Sequence, residues 1–461
     1  MKKLLYIMPG LLLATVAVTV MLVVGIFRLP EEQQTCLTVL DSKGQVMAEL
    51  SSPSELQSDA RWAYLEYVID EAALAFAKQN AITPEEAATL LFKGNYVLKT
   101  AFDPAVFTAM EKAGQKWGED FPIGCAITDT EGNLLAIYST PGGENQARTL
   151  TSPYSTLKPL SVYAPSIEAG ICRWSTRYED SPYKQLPQES GGGPWPANAS
   201  GTYSNEKVFM YRAVKESLNT VAVKSLANLG VAPAIAFLQG NFPIDLNTEV
   251  TRLAYEGAEE IIGNIALGYL QTGVSAIDMA GCYQIFANGG KYTQPTALVM
   301  ILDSQGECIY TRKVNGYQTV SPETADITRQ MLQGVASPGG MGEGAFCQAV
   351  EVAGQTGIRD DRSVNWFVGI TPGYSCAVRH GQSDKNLAPE IFAEIMESIY
   401  ADSEKSTAFE NHGNVVEIQY CNQSAMVATD ACPATETGYY TANTQLTPCT
   451  HHGVSISEKE S

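Results

Sequence analysis

The sequence YSTLKP at residues 154–159, which a long apolar run follows, constrains this chain more than any other feature. Ser155 and Lys158 are three residues apart, so both side chains lie on one face of a helix. A hydroxyl attacks a carbonyl carbon only when a base takes its proton, and a desolvated lysine with a lowered pKa can serve as that base. The pair therefore predicts a buried helix that carries a nucleophilic serine. The alternative is a serine that caps the helix, with the lysine on the surface.

The same Ser-x-x-Lys spacing occurs twice more, at Ser181–Lys184 and Ser204–Lys207. Both copies lie in sequence rich in Gly, Pro and Asn, which is typical of loops and would not hold the two side chains together. Of the three serines, only Ser155 precedes an apolar run long enough to form a buried helix.

Two further signatures follow in the chain. Ser217-Leu218-Asn219 interrupts a helical stretch, and Gln355-Thr356-Gly357 ends an apolar, strand-like run. A second Ser-x-Asn, at residues 363–365, comes after the Thr-Gly element. The order Ser-x-x-Lys, Ser-x-Asn, x-Thr-Gly is that of penicillin-binding proteins and serine β-lactamases.

The likeness extends beyond these signatures. Four segments (residues 155–170, 194–198, 266–290 and 352–372) resemble the transpeptidase domain of class A penicillin-binding proteins. The resemblance implies an α+β fold in which an antiparallel sheet is flanked by helices. It places the transpeptidase domain at residues 123–400. Three short strands between residues 350 and 381 and a closing helix at 389–400 agree with that fold.

The resemblance also implies a reaction, which is acyl transfer on a peptide that ends in D-Ala-D-Ala. Ser155 would attack the carbonyl carbon between the two alanines and Lys158 would take its proton. Ser217 would relay that proton to the leaving amine, and Asn219 would hold the substrate amide. The backbone N–H groups of Ser155 and Ile358 would form the oxyanion hole. A β-lactam would trap the same serine, and no cofactor or metal is expected at this site.

One motif departs from the family, which has Lys-Thr-Gly-Thr where this chain has Gln355-Thr356-Gly357-Ile358. Gln355 carries no charge and Ile358 offers no hydroxyl to the substrate carboxylate. Hydrogen bonds to charged groups contribute about 1.5–3 kcal/mol each, so losing two would slow acylation by roughly two to four orders of magnitude. Arg359 or Arg362 could supply a substitute charge.

Three functions therefore remain open. The chain could be an active but slow D,D-transpeptidase or carboxypeptidase, which the four retained catalytic residues favour. It could be a catalytically impaired homologue that binds peptidoglycan peptides, or partners in division or sporulation, which Gln355 and Ile358 favour. A β-lactamase is less favoured because we find no deacylating glutamate motif.

Composition excludes one class of partner. The chain has 461 residues, 45% hydrophobic content and a formal net charge of −20. Nucleic-acid binding is not expected, since phosphates require patches of Lys and Arg.

Residues 1–28 contain two lysines, Lys2 and Lys3, and then an apolar run from Leu4 to Phe27. That run is long enough to span a bilayer, with the short N-terminus in the cytoplasm and the rest of the chain outside. A cleaved signal peptide is the alternative, and it gives the same extracytoplasmic location.

Residues 29–122 are predicted to contain a hairpin at 35–50, a polar linker at 51–60, a helix at 60–80 and a capping box at Thr83–Glu86. In class A enzymes a glycosyltransferase domain separates such a hairpin from the following helix. Here about 15 residues separate Leu50 from Tyr64, whereas a domain needs at least about 50. The resemblance therefore implies a separate glycosyltransferase as a partner, beside peptidoglycan stem peptides.

Residues 401–461 form a linker and a tail that carries three of the ten cysteines, Cys421, Cys432 and Cys449, together with His451 and His452. Cysteine and histidine close together could bind zinc. A disulfide with a surface histidine pair is the interpretation that an exported tail favours.

Overall fold

The computed structural model describes residues 36–188, 192–401 and 404–452. The predicted anchor at residues 1–28 lies outside them. Within the described ranges no single helix has the length and apolar character needed to cross a bilayer. The helices Asn219–Leu229 and Val231–Asn241, which meet at a 90° bend, are together long and apolar enough by length and composition alone.

In chain order, the strands are β1 (Leu37–Leu40), β2 (Val46–Leu50), β3 (Val97–Thr100), β4 (Ile123–Asp129), β5 (Leu134–Ser139), β6 (Arg177–Glu179), β7 (Lys184–Leu186), β8 (Gly193–Trp195), β9 (Lys207–Phe209), β10 (Lys291–Tyr292), β11 (Leu298–Leu302), β12 (Cys308–Thr311), β13 (Tyr317–Gln318), β14 (Ala353–Ile358), β15 (Asn365–Ile370), β16 (Tyr374–His380), β17 (Val415–Cys421) and β18 (Thr435–Thr441). The α-helices are α1 (Trp62–Asn80), α2 (Pro84–Lys93), α3 (Pro104–Trp117), α4 (Ala164–Glu168), α5 (Met210–Lys215), α6 (Asn219–Leu229), α7 (Val231–Asn241), α8 (Asn247–Glu256), α9 (Ala258–Leu267), α10 (Ala276–Tyr283), α11 (Pro322–Ala336) and α12 (Ala388–Tyr400).

The core of the fold is an antiparallel five-stranded sheet in the order β14-β15-β16-β4-β5. Side chains alternate between its two faces, and helices cover both of them. On one face Gly369 lies against Phe392 of α12. On the other face the Ser375 hydroxyl donates to the Ala280 carbonyl of α10 over 2.6 Å. Because both faces are covered, every residue of β16 is buried. The predicted α+β architecture with a helix-flanked antiparallel sheet is thus confirmed.

A second sheet has the order β12-β11-β3-β1-β2 and unites strands from both sides of the domain boundary predicted at residue 122. The predicted hairpin at 35–50 forms β1 and β2, which pair antiparallel, while β1 and β3 run parallel. Between β2 and α1 the chain forms the short 3-10 helix Pro53–Ser58. The predicted capping box is confirmed, because the Thr83 hydroxyl accepts from the Glu86 N–H and the Glu86 carboxylate accepts from the Thr83 N–H.

The tail forms a hairpin in which β17 and β18 pair over their full lengths. All ten cysteines of the chain lie within the described residues, and all are free thiols. The disulfide that the sequence favours for the tail is therefore absent from the structure. Five cysteines of the first seven are buried, as expected for small apolar side chains, whereas Cys36 is half-buried and Cys308 is exposed.

Candidate active site

Ser155 lies on a 3-10 turn, Tyr154–Leu157, rather than on the regular α-helix that the spacing predicts. A π-helical turn, Pro159–Tyr163, and then α4 continue it. Pro159 explains the irregularity, since proline lacks an N–H and its ring collides with the carbonyl group four residues back. Residues three apart eclipse one another in a 3-10 turn, so Ser155 and Lys158 still share a face.

The Lys158 side chain is fully buried and its amine reaches the Ser217-x-Asn219 motif. The Nζ atom donates to the Ser217 carbonyl oxygen (2.8 Å), the Ser217 Oγ (3.2 Å) and the Asn219 Oδ1 (2.7 Å). Burial alone lowers the pKa of the Lys158 amine to about 7. A large fraction of this amine is therefore neutral near pH 7 and can accept a proton, which an ordinary surface lysine cannot do.

Ser217 lies in the break between α5 and α6, with a φ angle of +53°. The Oδ1 atom of Asn198 accepts from the backbone N–H groups of Asn219 (2.9 Å) and Thr220 (3.3 Å), which caps the start of α6. The Asn198 Nδ2 in turn donates to the buried Asp180 carboxylate over 2.7 Å. This network fixes the loop that points the second serine toward Lys158.

Strand β14 forms the third wall of the site and lies at the edge of the central sheet. A Cβ atom at Gly357 would lie 2.4 Å from the Pro153 carbonyl oxygen, so only glycine lets this strand pass the turn that carries Ser155. The Arg359 N–H donates to the Val364 carbonyl across the ladder. Successive N–H groups of a strand point in opposite directions, so the N–H of Ile358 points away from β15, at the open edge.

Gln355 is fully buried and its side chain turns back on its own strand. Its Oε1 accepts from the Thr356 N–H over 3.0 Å, and its Nε2 has no hydrogen-bond partner among the described residues. An unpaired buried donor destabilises the fold by about 1–3 kcal/mol. The position thus holds an uncharged donor with unused hydrogen-bonding capacity.

These walls enclose a cavity of about 430 Å³, which is large enough for a small ligand. Of the predicted site residues, Ser155, Ser217, Asn219, Thr356 and Ile358 line it, together with Tyr154, Trp195, Pro196, Ala197, Asn198, Ala199, Leu267, Tyr269, Met341, Arg359, Asp360 and Arg362. Lys158 is buried behind this surface, and Gln355 and Gly357 are not among the lining residues. No hydrogen bond joins Lys158 Nζ to Ser155 Oγ in the described part of the chain, and such bonds are often long before a substrate binds.

Sequence reasoning missed the roles of Asn198 and Asp180. Asn198 lies in a segment rich in Pro, Gly and Ser whose local pattern predicts only a loop. Its contact with Asn219 joins residues 21 positions apart, and no periodicity signals such a contact. Arg359 and Arg362, which the sequence suggests as substitute charges, do line the cavity.

Replacing Asn198 by alanine should remove the cap on α6 and loosen Ser217. We expect the free energy of unfolding to fall by ~1–2 kcal/mol, the usual cost of losing a capping side chain. If the cavity reacts with a penicillin, the rate of that reaction should also fall, by about tenfold for each 1.4 kcal/mol of lost positioning. Thermal unfolding and labelling kinetics well below the melting temperature measure the two effects.

Asn241→Ala provides the control, because Asn241 is half-buried and, among the described residues, its side chain bonds only the Phe237 carbonyl, far along the chain from the site. This variant should leave the rate unchanged. An Asn198→Ala protein with unchanged unfolding and unchanged kinetics would show that the network does not position the second serine.

Several known proteins share sequence or fold with this chain. Residues 124–397 match the model of the penicillin binding protein transpeptidase domain. Among curated relatives, penicillin-binding protein 1A of Clostridium botulinum is 31% identical over 54% of this chain and 29% of its own length. Penicillin-binding protein 1A of Clostridium acetobutylicum is 33% identical over 56% of this chain and 32% of its own length. Penicillin-binding protein 1F of Bacillus subtilis is 29% identical over 77% of this chain and 50% of its own length. The chain thus spans from under a third to half of the length of these relatives.

Solved structures share the fold. The D,D-transpeptidase domain of a peptidoglycan glycosyltransferase from Eggerthella lenta superposes with a TM-score of 0.60 at 18% identity, over 79% of this chain and 98% of that domain. PonA1 of Mycobacterium tuberculosis, solved in complex with penicillin V, gives a TM-score of 0.62 at 20% identity, over 76% and 96%. At such identities the likeness establishes the architecture.

Proposed function

The chain belongs to the penicillin-binding protein transpeptidase family, and from that premise we propose that it is a serine D,D-transpeptidase that cross-links peptidoglycan stem peptides through an acyl-enzyme. The observation that carries the proposal is the buried amine of Lys158, with a pKa of about 7, on the same turn as Ser155 and in contact with Ser217 and Asn219. A lysine with no chemical task would rarely be fully buried without a carboxylate partner.

In the proposed reaction, Ser155 Oγ attacks the carbonyl carbon of the penultimate D-alanine while the neutral Lys158 amine takes the hydroxyl proton. The negative charge on the carbonyl oxygen is met by the N–H of Ile358, at the open strand edge, and by the N–H of Ser155. Ser217, whose Oγ is 3.2 Å from Lys158 Nζ, passes the proton to the leaving amine as the C–N bond breaks. An amine of a second stem peptide then attacks the ester carbonyl carbon and loses a proton; the new C–N bond joins the two stems, the C–O bond to Ser155 breaks, and Ser155 Oγ takes the proton back through Lys158.

Recognition of the substrate carboxylate is the weakened part of this scheme. Gln355 and Ile358 replace a lysine and a threonine of the family motif, so they offer neither a charge nor a hydroxyl. Arg359 and Arg362 both line the cavity with Asp360, on the turn after β14, and the Arg359 guanidinium also lies 3.4 Å from the Asp361 carboxylate. We propose that these guanidinium groups supply positive charge to the carboxylate, in place of the missing lysine.

A second candidate is a catalytically impaired homologue that binds stem peptides or division proteins. Gln355 supports it, since this buried and uncharged side chain leaves its Nε2 without a partner in the described structure. The test is covalent labelling of the purified full chain with a fluorescent penicillin. The enzyme proposal expects slow, stoichiometric labelling that peptide mapping assigns to Ser155. Absence of label after prolonged exposure would leave the binding role as the better account.

Replacing Gln355 by lysine should accelerate labelling. One restored charged hydrogen bond contributes about 1.5–3 kcal/mol, which corresponds to a rate increase of roughly 10- to 150-fold. The measurement is the second-order rate constant of acylation, beside the melting temperature of each variant. Gln348→Lys is the matched control, because Gln348 is exposed and does not line the cavity. A folded Gln355→Lys protein with an unchanged rate would indicate that Arg359 and Arg362 already compensate.

The location and partners of the chain are part of the proposal. We propose that residues 1–28 anchor the chain in the cell membrane, with the transpeptidase domain outside the cytoplasm. A separate glycosyltransferase would make the glycan that carries the stem peptides, since only the 3-10 helix Pro53–Ser58 and its neighbours join β2 to α1. Co-purification of a glycosyltransferase from cross-linked membranes tests this partnership, and recovery equal to that of an unrelated membrane protein would contradict it.

A further inference from the structure

The tail hairpin gathers four side chains that the transpeptidase chemistry does not use. The Sγ atoms of Cys421, Cys432 and Cys449 and one ring nitrogen of His452 all lie within 4.8 Å of one another. Cys421 Sγ and His452 Nε2 are 3.3 Å apart. Two of the cysteines are buried, and Cys432 and His452 are half-buried. The four groups come from three segments of the tail and converge on one point.

The backbone of the tail is organised around that point. Cys421 ends β17, and Val427 forms β-bridges with Tyr420 and with Pro448, the residues that immediately precede Cys421 and Cys449. The Cys449 N–H donates to the Val427 carbonyl over 2.8 Å, which holds the segment around Cys449 against the hairpin. Contacts between residues more than 20 positions apart thus bring the sulfur atoms together before any ligand is considered.

Two hydrogen-bond donors point at the sulfur atoms. The Ser424 hydroxyl donates to Cys449 Sγ over 3.1 Å, and the Thr429 N–H donates to Cys432 Sγ over 3.3 Å. Donors of this kind stabilise negative charge on sulfur, and they commonly surround metal-bound thiolates. They would contribute little to neutral thiols.

We propose that Cys421, Cys432, Cys449 and His452 form a structural zinc site. Three thiolates and one imidazole are a common ligand set for closed, four-coordinate Zn²⁺, and a tetrahedral ion with bonds of roughly 2.0–2.3 Å needs ligand atoms roughly 3.5–3.8 Å apart. The cluster is already near that size. Binding would release the three thiol protons, so that the ion holds three thiolates and one neutral imidazole.

A disulfide explains this arrangement less well. A disulfide joins two sulfur atoms about 2.05 Å apart, and it would leave the third cysteine and the histidine without a role. The short spacing Cys449-x-x-His452 places two ligands on one turn, as metal sites often require. The inference adopts the zinc alternative in place of the disulfide that the sequence favours for the tail.

The zinc site would hold the hairpin against the helix that leads to the candidate active site. Glu436 of β18 bonds both the Tyr211 hydroxyl and the Arg212 guanidinium of α5. The ring of Trp174 stacks on Tyr211, with centroids 5.2 Å apart, and meets the ring of Tyr439 edge-on at 4.9 Å. Helix α5 ends at Lys215, two residues before Ser217. By stabilising the hairpin, the metal therefore stabilises the contacts that β18 makes with α5.

The test measures metal in the full-length chain, purified in detergent without reductant or chelator. Elemental analysis should find about one zinc per chain, and exchange for Co²⁺ should give the visible absorption of a tetrahedral thiolate site. His452→Ala and Cys432→Ser should each weaken zinc affinity by at least about 100-fold. The matched controls are His451→Ala, since His451 is exposed and outside the cluster, and Cys308→Ser, since Cys308 is an exposed thiol. Both controls should keep the zinc.

Three outcomes would overturn the inference: a wild-type chain without zinc that also fails to take up Co²⁺, zinc retained in both ligand variants, or a disulfide between two of the three tail cysteines found by peptide mapping. None of these outcomes depends on penicillin labelling, so the zinc site and the proposed function can fail separately. If a ligand variant is unstable, the Co²⁺ spectrum and the thiol count of the wild-type chain still decide the question.

Discussion

Replacing Ser155 by alanine is expected to abolish covalent labelling of the full chain by a fluorescent penicillin. The β-lactam carbonyl would acylate Ser155 Oγ, and alanine offers no nucleophile at that position. Removing the nucleophile of comparable serine enzymes lowers rates by roughly six orders of magnitude, which places residual labelling below detection. The expected signal is a labelled band on a denaturing gel for the wild-type chain and none for the variant.

Ser204→Ala is the matched control for this experiment. Ser204 begins another Ser-x-x-Lys sequence, but it is exposed and does not line the cavity, and its hydroxyl accepts a bond from the Glu206 N–H. This variant should label at the wild-type rate. If Ser155→Ala still labelled at the wild-type rate while folded, another nucleophile would carry the reaction and the proposed mechanism would be wrong.

Replacing Lys158 by methionine is expected to slow labelling by about 10²- to 10⁴-fold, the usual contribution of a general base. Methionine keeps most of the volume of the buried side chain but cannot accept a proton. It also leaves Ser217 and Asn219 without their shared donor, so the melting temperature must be measured beside the rate. Lys207→Met is the matched control, since Lys207 is the exposed lysine of the Ser204–Lys207 pair.

The pH dependence of labelling tests the same residue without a mutation. Burial lowers the pKa of the Lys158 amine to about 7, and only the neutral amine can take the proton of Ser155. The rate should therefore rise with pH, reach half its maximum near pH 7 and level off above it, and fall about tenfold for each pH unit well below 7. A flat profile between pH 5 and 9 would falsify the role of Lys158 as the base.

Much of the local structure follows from short stretches of sequence. Thr83, Pro84 and Glu86 specify the start of α2 because their hydrogen bonds close within one helical turn. The hairpin of β4 and β5 follows from apolar runs on either side of Glu131-Gly132, where Gly132 adopts a positive φ. The motif order likewise points to the residues that meet at the cavity, because each motif is a contiguous and chemically distinctive unit.

Some features of the site depend on contacts that cannot be predicted from the local sequence. Asn198 caps α6 and rests on Asp180, and Gln355 folds back on the open edge of β14. The 3-10 and π turns around Ser155 replace the expected helix because Pro159 excludes regular hydrogen bonding there. Each feature arises where a segment meets a distant neighbour or where a local rule is broken.

The sequence by itself determined the order of the motifs and predicted the nucleophile pair, because motif spacing acts over a few residues, and the fold class followed from the family resemblance that these motifs carry. Tertiary structure decided that Lys158 reaches Ser217, that β11 and β12 join the N-terminal sheet, and that the three tail cysteines and His452 gather at one point. The physical reason is chain closure: which segments meet across tens of residues depends on how the whole core packs, and that packing leaves no local trace in the sequence.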